Sequence, residues 1–174
     1  MPTTITGTDG VSQVQTGAVE SGDLPAGSVI QVVSASTTTT DDLQTTSYVD
    51  TSLSCSITPT SATSKILVLV DQMGAERFDS NGSHNIGARL LRGTTPIGGE
   101  RWLERRVGVG SGDVTLTYFG VYIKELDSPN TTSSVTYKTQ ARVTSTSNSG
   151  RALFQVASGG SNETSTMVLM EIAG

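Results

Sequence analysis

Between residues 48 and 57 the chain alternates without a break. Val49, Thr51, Leu53, Cys55 and Ile57 occupy one set of positions, and Tyr48, Asp50, Ser52, Ser54 and Ser56 the other. Side chains of an extended strand point alternately to its two faces, so this pattern makes one apolar face and one hydroxyl-bearing face. A helical repeat of 3.6 residues would scatter both sets. The same period recurs in Val135, Tyr137, Thr139, Ala141 and Val143, in Ala152, Phe154 and Val156, and in Thr164, Thr166, Val168, Met170 and Ile172. Ser28–Ser34, Ile86–Arg92 and Val114–Glu125 add further strands. Lys65–Met73 (KILVLVDQM) is apolar nearly throughout, the mark of a central strand covered on both faces.

Turn-forming residues punctuate these runs at Pro59–Ser64, at Gly93-Thr94-Thr95-Pro96 and at Asp127-Ser128-Pro129-Asn130. No segment shows convincing helical amphipathicity. The expected fold class is all-β, an antiparallel sandwich of about eight strands with a jelly-roll-like arrangement. Thr37–Asp42 reads as a polar break and Ala75–Asn85 as a polar loop. Glu100–Arg106 reads as a loop or a single helical turn.

Composition matters where it bears on order and partners. Ser and Thr supply 50 of the 174 residues, and only 16% are charged. Such chains are often disordered, but here the hydroxyls fall on the outward positions of alternating strands and in turns. The net charge of −5 and a sequence pI near 4.7 argue against a phosphate-backbone partner, so no nucleic acid is expected. The longest aliphatic run, Ile66–Val70, is far short of the ~20 residues of a spanning helix, and Met1–Gly10 lacks a basic start and an apolar stretch. No membrane insertion is expected.

The first 27 residues differ from the rest. Their aliphatics are isolated at Val11, Val14, Val19 and Leu24 and fit neither period. The division read here is an extended N-terminal arm or attachment segment, 1–27, and a sandwich head, 28–174. The arm is either a disordered tail or a thin shaft whose aliphatics meet their copies across a symmetry axis. Fully extended, it would reach roughly 90 Å at about 3.3 Å per residue.

Candidate chemistry is sparse. With one Cys and one His, a disulfide framework or a Cys/His zinc site has too few members. Cys55 lies in the apolar register of its strand, as a small buried hydrophobe would. His84, in Asn81-Gly82-Ser83-His84-Asn85, has the surroundings of a solvated loop. Gly108-Val109-Gly110-Ser111-Gly112 leads into a strand and lacks the helix N-terminus that phosphate loops use. Asp71, Glu76 and Asp79 form an acidic group of the kind expected by chance. No enzyme, metal or cofactor is expected. The one dense basic patch is Arg101, Arg105 and Arg106 around Trp102, with Arg89 and Arg92 upstream. It suits either a solvated surface or a contact surface, because Trp and Arg are favoured interface anchors. Trp102 would also serve to stack on a sugar.

Several stretches resemble small β-structured virion proteins of tailed bacteriophages, of the fibre or head-appendage type. Ile5-Thr6-Gly7-Thr8-Asp9-Gly10-Val11-Ser12-Gln13-Val14-Gln15-Thr16-Gly17-Ala18-Val19 is similar to the G-x-x-G-(I/V)-x-x-(I/V)-Q-x-G-(S/A)-(I/V) segment that precedes such domains. Gly27–Val33 resembles the linker opening the globular part. Tyr48–Ser54, Ile57-Thr58-Pro59 and Ser64–Val68 resemble its first hairpin. Arg89–Gly93, Asp127-Ser128-Pro129 and Met170-Glu171-Ile172 resemble later landmarks.

The resemblance implies a structural or adhesive virion component, assembled in the host cytoplasm, and brings no catalytic residues. A homotrimeric tail-fibre-type appendage for host attachment is the first expectation, with the arm binding other virion proteins and the head meeting a host glycan or protein. Fibres are commonly longer, which leaves a capsid decoration (cement) or head-fibre role as the alternative. A carbohydrate-binding module is a further one.

Overall fold

The computed structural model describes residues 23–79, 82–107, 114–156 and 162–174, without the side chains of 76–79, 82–84, 104–107 and 114–117. It is all-β. The strands are β1 (Val29–Thr37), β2 (Asp41–Leu43), β3 (Val49–Ile57), β4 (Lys65–Asp79), β5 (Gly82–Arg92), β6 (Thr95–Val107), β7 (Val114–Asp127), β8 (Val135–Val143), β9 (Arg151–Phe154) and β10 (Ser165–Ile172). All the pairings are antiparallel.

One sheet runs β3-β8-β5-β6. The other is organised by the long β4. Along one edge β4 pairs with β7 from Ile66 to Asp79. Along its other edge it pairs first with β10, through Lys65–Asp71, and then with β9, through Gly74–Arg77. β1 lies outside β10 and β2 outside β9. Setting aside the small β2–β9 ribbon, the two sheets read β1-β10-β4-β7 and β3-β8-β5-β6. Successive strands cross from sheet to sheet except at the β5–β6 hairpin, which is jelly-roll connectivity.

The alternation in the sequence is what closes the sandwich. Leu53, Ile57, Ile66, Val68, Ile86, Leu90, Tyr137, Val143, Phe154, Met167 and Leu169 all point inward and are buried. Cys55 joins them as a buried free thiol, and burial pushes its pKa up. Hydroxyls that fall on the inner face find partners. Thr51 Oγ1 lies 2.6 Å from Thr139 Oγ1 and accepts from Gln72 Nε2 at 3.0 Å. The open end of the core carries an ion pair: Arg92 Nη1 donates to both carboxylate oxygens of Asp127 at 2.9 Å, and Tyr137 Oη donates to Asp127 at 2.7 Å. Burial, and then donation to that carboxylate, push the Tyr137 pKa far up.

Three sequence expectations are corrected. Asp41–Asp42 is no break but part of β2, held by backbone pairing to β9. Of Ala75–Asn85, expected to be a loop, residues 75–79 continue β4 and residues 82–85 begin β5, so His84 lies in a strand. Glu100–Arg106 is neither loop nor helical turn but the body of β6. The described residues form ten strands, where the sequence suggested about eight. In each case the polar side chains hid a segment whose order comes from main-chain hydrogen bonds to a neighbour.

Glu171, on β10, is a fully buried carboxylate. It accepts from Gln31 Nε2 at 2.6 Å, from Thr60 N at 2.7 Å and from Thr60 Oγ1 at 2.8 Å. Burial alone would raise its pKa, but the hydrogen bonds from Gln31 and Thr60 outweigh it and hold the group below its ordinary value of 4.5. A depressed folded-state pKa contributes stability above the unfolded value and loses it as pH falls through the folded one. Glu171→Gln is therefore expected to be less stable at neutral pH and to lose less further stability between about pH 5 and pH 3 than the parent. Urea midpoints across that range measure it, and parallel pH profiles would contradict it.

Candidate functional site

The two outward faces of the sandwich differ in kind. On the β3-β8-β5-β6 sheet the outward residues satisfy one another. Asp50 accepts from Lys138 Nζ at 2.6 Å and from Gln140 Nε2 at 2.7 Å, and those bonds, Lys138 first, hold its pKa below the usual range. Gln140 Oε1 in turn accepts from Arg89 Nη2 at 2.6 Å and Nε at 3.0 Å. Beside this network, Tyr48 is stacked between two guanidinium groups. Arg89 lies 4.0 Å and Arg142 4.7 Å from its ring centroid, and Arg142 also lies 5.1 Å from the Trp102 ring. Such cation–π stacks suit Arg's planar head. Burial, with Glu100 adding to it, raises the Tyr48 pKa against the opposing pull of Arg142.

The β1-β10-β4-β7 sheet has the opposite character. Its outward positions carry Val32 on β1, Val168 and Met170 on β10, Leu67 and Leu69 on β4, and Leu126 on β7. Val32 and Leu126 are more than half exposed, at 54% and 53%. Polar residues ring this apolar centre: Ser34 and Ser36 on β1, Thr166 on β10, and the three charges Lys65, Asp71 and Lys124. A hollow of about 210 Å³ opens on it between Leu69, Tyr122, Lys124, Thr166 and Val168. The doubly apolar run Lys65–Met73 is explained only in part by one chain. Its inward residues Ile66, Val68 and Val70 are buried, whereas Leu67 and Leu69 remain half-covered.

The third feature is a groove between the open edges of the two sheets, where β6 and β7 face each other. It holds about 260 Å³ and is lined by Glu100, Arg101, Trp102, Leu103, Gly120, Val121 and Tyr122. Both aromatics lie over glycines. A Cβ on Gly120 would sit 2.5–2.6 Å from the Tyr122 ring, and one on Gly87 would sit 3.1–3.2 Å from the tip of Trp102 and 2.6 Å from Tyr48 Oη. The missing side chains are what let the rings lie against the sheet. Trp102 is 45% and Tyr122 62% exposed.

Of the residues singled out in the sequence, Val11, Val14 and Val19 lie outside the described residues. Leu24 is half-buried and lines a hollow of about 250 Å³ with Ile30, Thr60, Ser61, Ser64 and the chain end at Ala173 and Gly174. Trp102 and Arg101 both line the β6–β7 groove. Arg105 and Arg106 follow on the same strand, paired with His84 and Ser83, and their side chains lie outside the described ones. Tyr122, Tyr48 and the apolar sheet face went unread in the sequence. Tyr122 points outward on the apolar sheet beside Asp71 and Lys124, whereas Trp102 lies over Gly87 on the outward face of the other sheet. Among the described residues, no group of three or more His, Cys, Asp or Glu is placed to hold a metal ion.

No protein-family model matches the sequence, and neither does any curated protein. Solved structures give distant likenesses. A chain of the T13 particle of infectious bursal disease virus is 13% identical with a TM-score of 0.32, over 83% of this chain and 36% of that one. A chain of the Gx strain of the same virus is 15% identical with a TM-score of 0.33, over 84% and 39% respectively. This chain thus spans under two fifths of the length of either, and TM-scores at this level do not establish a shared fold.

Proposed function

We propose that the protein is a structural component of a virus particle, a tail-fibre-type appendage that assembles as a homotrimer and contributes to host attachment. The observation that carries this is the open apolar face of the β1-β10-β4-β7 sheet. A lone soluble domain seldom leaves so continuous an apolar surface in water, and its apolar centre with a polar rim is the anatomy of an interface. The occupant is a further copy of the same chain. Asp71 and Lys124 sit on neighbouring strands of this face, offset by two residues, and neither is ion-paired to another described residue. Copies related by symmetry can match these opposite charges at their margins while the aliphatics meet at the centre.

The jelly roll recurs in viral capsid domains and in lectins, which supports the reading by analogy and does not decide it. Resemblance of the N-terminal segment to fibre-type proteins points the same way. The protein works by shape and contact, without catalysis.

Light scattering on the full chain tests the assembly. The expected mass is about three times 18.1 kDa, falling to a single chain in Val32→Asp and Leu126→Asp, which place a charge on the face. Both positions are more than half exposed within one chain, so far-UV circular dichroism should be unchanged. A parent protein that is monomeric at tens of micromolar would rule the assembly out. Imaging of the particle then separates the appendage from a capsid decoration: a few tens of copies or fewer at the tail favour the former, hundreds across the shell the latter.

A further inference from the structure

We infer that the copies join edge to edge: β7 of one chain takes β1 of the next as its missing neighbour strand. The inference deepens the assembly proposed above and rests on it.

A ring of three sets a requirement that one self-matching patch does not meet. A patch that pairs with itself closes as a two-fold dimer, whereas a three-membered ring needs two different surfaces on each chain that fit one another. The β1-β10-β4-β7 sheet has such a pair in its margins. Among the described strands, β1 pairs only with β10 and β7 only with β4, so each presents a row of unpaired main-chain groups. Three successive antiparallel steps separate them, so β1 and β7 run in opposite directions. A copy turned about an axis along the strands therefore brings its β1 antiparallel to β7 of the first. The ladder continues from chain to chain, and the apolar face of each sheet is turned to the inside of the ring.

Neither margin is defended against pairing. β1 has no charged residue, and β7 has none from Val114 to Ile123. β7 also matches β4 along its 14 residues without a register slip. β6, an edge of the other sheet, is made differently. It carries Pro96, a Gly98 with φ +68°, a register slip opposite Ala88–Leu90 and a run of charges, all of which keep strands off an edge.

The registers decide which residues meet. Val32 pairs with Met170, Met170 with Leu67 and Leu67 with Leu126, which makes one row across the sheet. A rotation has no step along its axis, so the row runs on into the same row of the next chain and Leu126 meets Val32. These two ends of the row are aliphatics that one chain leaves 53% and 54% exposed, and opposed they cover each other. The charges near the end of β7 meet no like charge. By the same rows Lys124 falls opposite Ser34, Glu125 opposite Val33 and Asp127 opposite Gln31.

Paired thiols test the contact. In the full chain, Val32→Cys combined with Leu126→Cys should oxidise to covalent species of two and three chains on non-reducing denaturing gels. Neither single variant should cross-link, because each thiol faces the other position and Cys55 is buried. A mixture of the two single variants should give covalent pairs. Amide exchange on the parent chain gives a second reading. Residues 29–37 and 121–127 should exchange at least tenfold more slowly in the parent than in Leu126→Asp, while β6 should exchange alike in both. Cross-linking by Val32→Cys alone would show a self-matching contact and overturn the inference. Equal exchange of β1 and β7 in parent and variant would overturn it too, and would leave these edges to a strand of another protein. The mass of the parent separates the two proposals. An assembled parent with neither cross-links nor protection sinks the edge contact alone, whereas a monomeric parent sinks the assembly as well.

Discussion

Phe154→Ala is expected to lower the unfolding free energy by about 3–5 kcal/mol, the range for emptying a fully buried aromatic site. Phe154 has no exposed surface. Its ring meets Phe119 edge-on, with centroids 6.0 Å apart and planes at 88°, a geometry that adds to simple burial. The space it would leave is hard to refill. Phe119 itself is fixed above Gly74, where a Cβ would sit 2.6 Å from its ring, and β9 is pinned between β4 and β2 by main-chain pairing. Phe119→Ala should cost less, because Phe119 is only partly buried. Equilibrium denaturation in the Val32→Asp background measures both, so that dissociation of copies does not enter the midpoint. A loss under 1 kcal/mol for Phe154→Ala would mean that this corner of the core collapses freely.

The second large effect is expected at Asp127. Removing its carboxylate with Asp127→Ala leaves the Tyr137 hydroxyl buried without its acceptor and takes both oxygens from Arg92, which keeps only the carbonyl of Ser128 at 3.1 Å. Losing one partner of a buried pair costs about 3–5 kcal/mol, but the Arg92 side chain is 30% exposed and water recovers part of this. About 2–3 kcal/mol is the expected loss. Tyr137→Phe removes one hydrogen bond and leaves the ion pair, so about 1 kcal/mol is expected there. Asp127 ends β7 in one sheet, while Arg92 and Tyr137 belong to the other. The pair of variants therefore separates the contribution of a bridge across the sheets from that of one hydroxyl. Equal losses in the two would show that the ion pair adds nothing.

How far the sequence went depends on what each element owes to side chains. β3, β8 and β10 are half-buried along their length, so their side chains sort by face and the period betrays them. β6 is an edge strand with Pro96, Gly98 and Gly99 and a run of charges, the composition edges adopt to discourage further pairing, and that composition imitates a loop. β2 is three residues long and polar, and exists because β9 offers it hydrogen bonds. The outer parts of β4 and β5 follow the same logic. Among the candidate contacts, Trp102 and Arg101 stood out by type and clustering. Tyr122 could not, since its place on the apolar face is set by the pairing of β7 with β4. The apolar sheet face was half visible: KILVLVDQM announced two covers, and one chain supplies the inner one.

The place of β10 has a consequence for how the polypeptide reaches this state. β10 follows every other strand in the chain, yet it lies between β1 and β4 and is the sole bridge between them. Until Ser165–Ile172 docks, β1 has no neighbour in its sheet among the described strands, and Glu171 cannot draw Gln31 and Thr60 together. β1 must therefore wait, with its aliphatics exposed, for a partner far downstream, as the pairing of Val33 with Leu169 illustrates. Closure over such separations is slow. The vulnerable interval of this protein is thus its own synthesis, when β1 and β4 are already made and the strand that joins them is not.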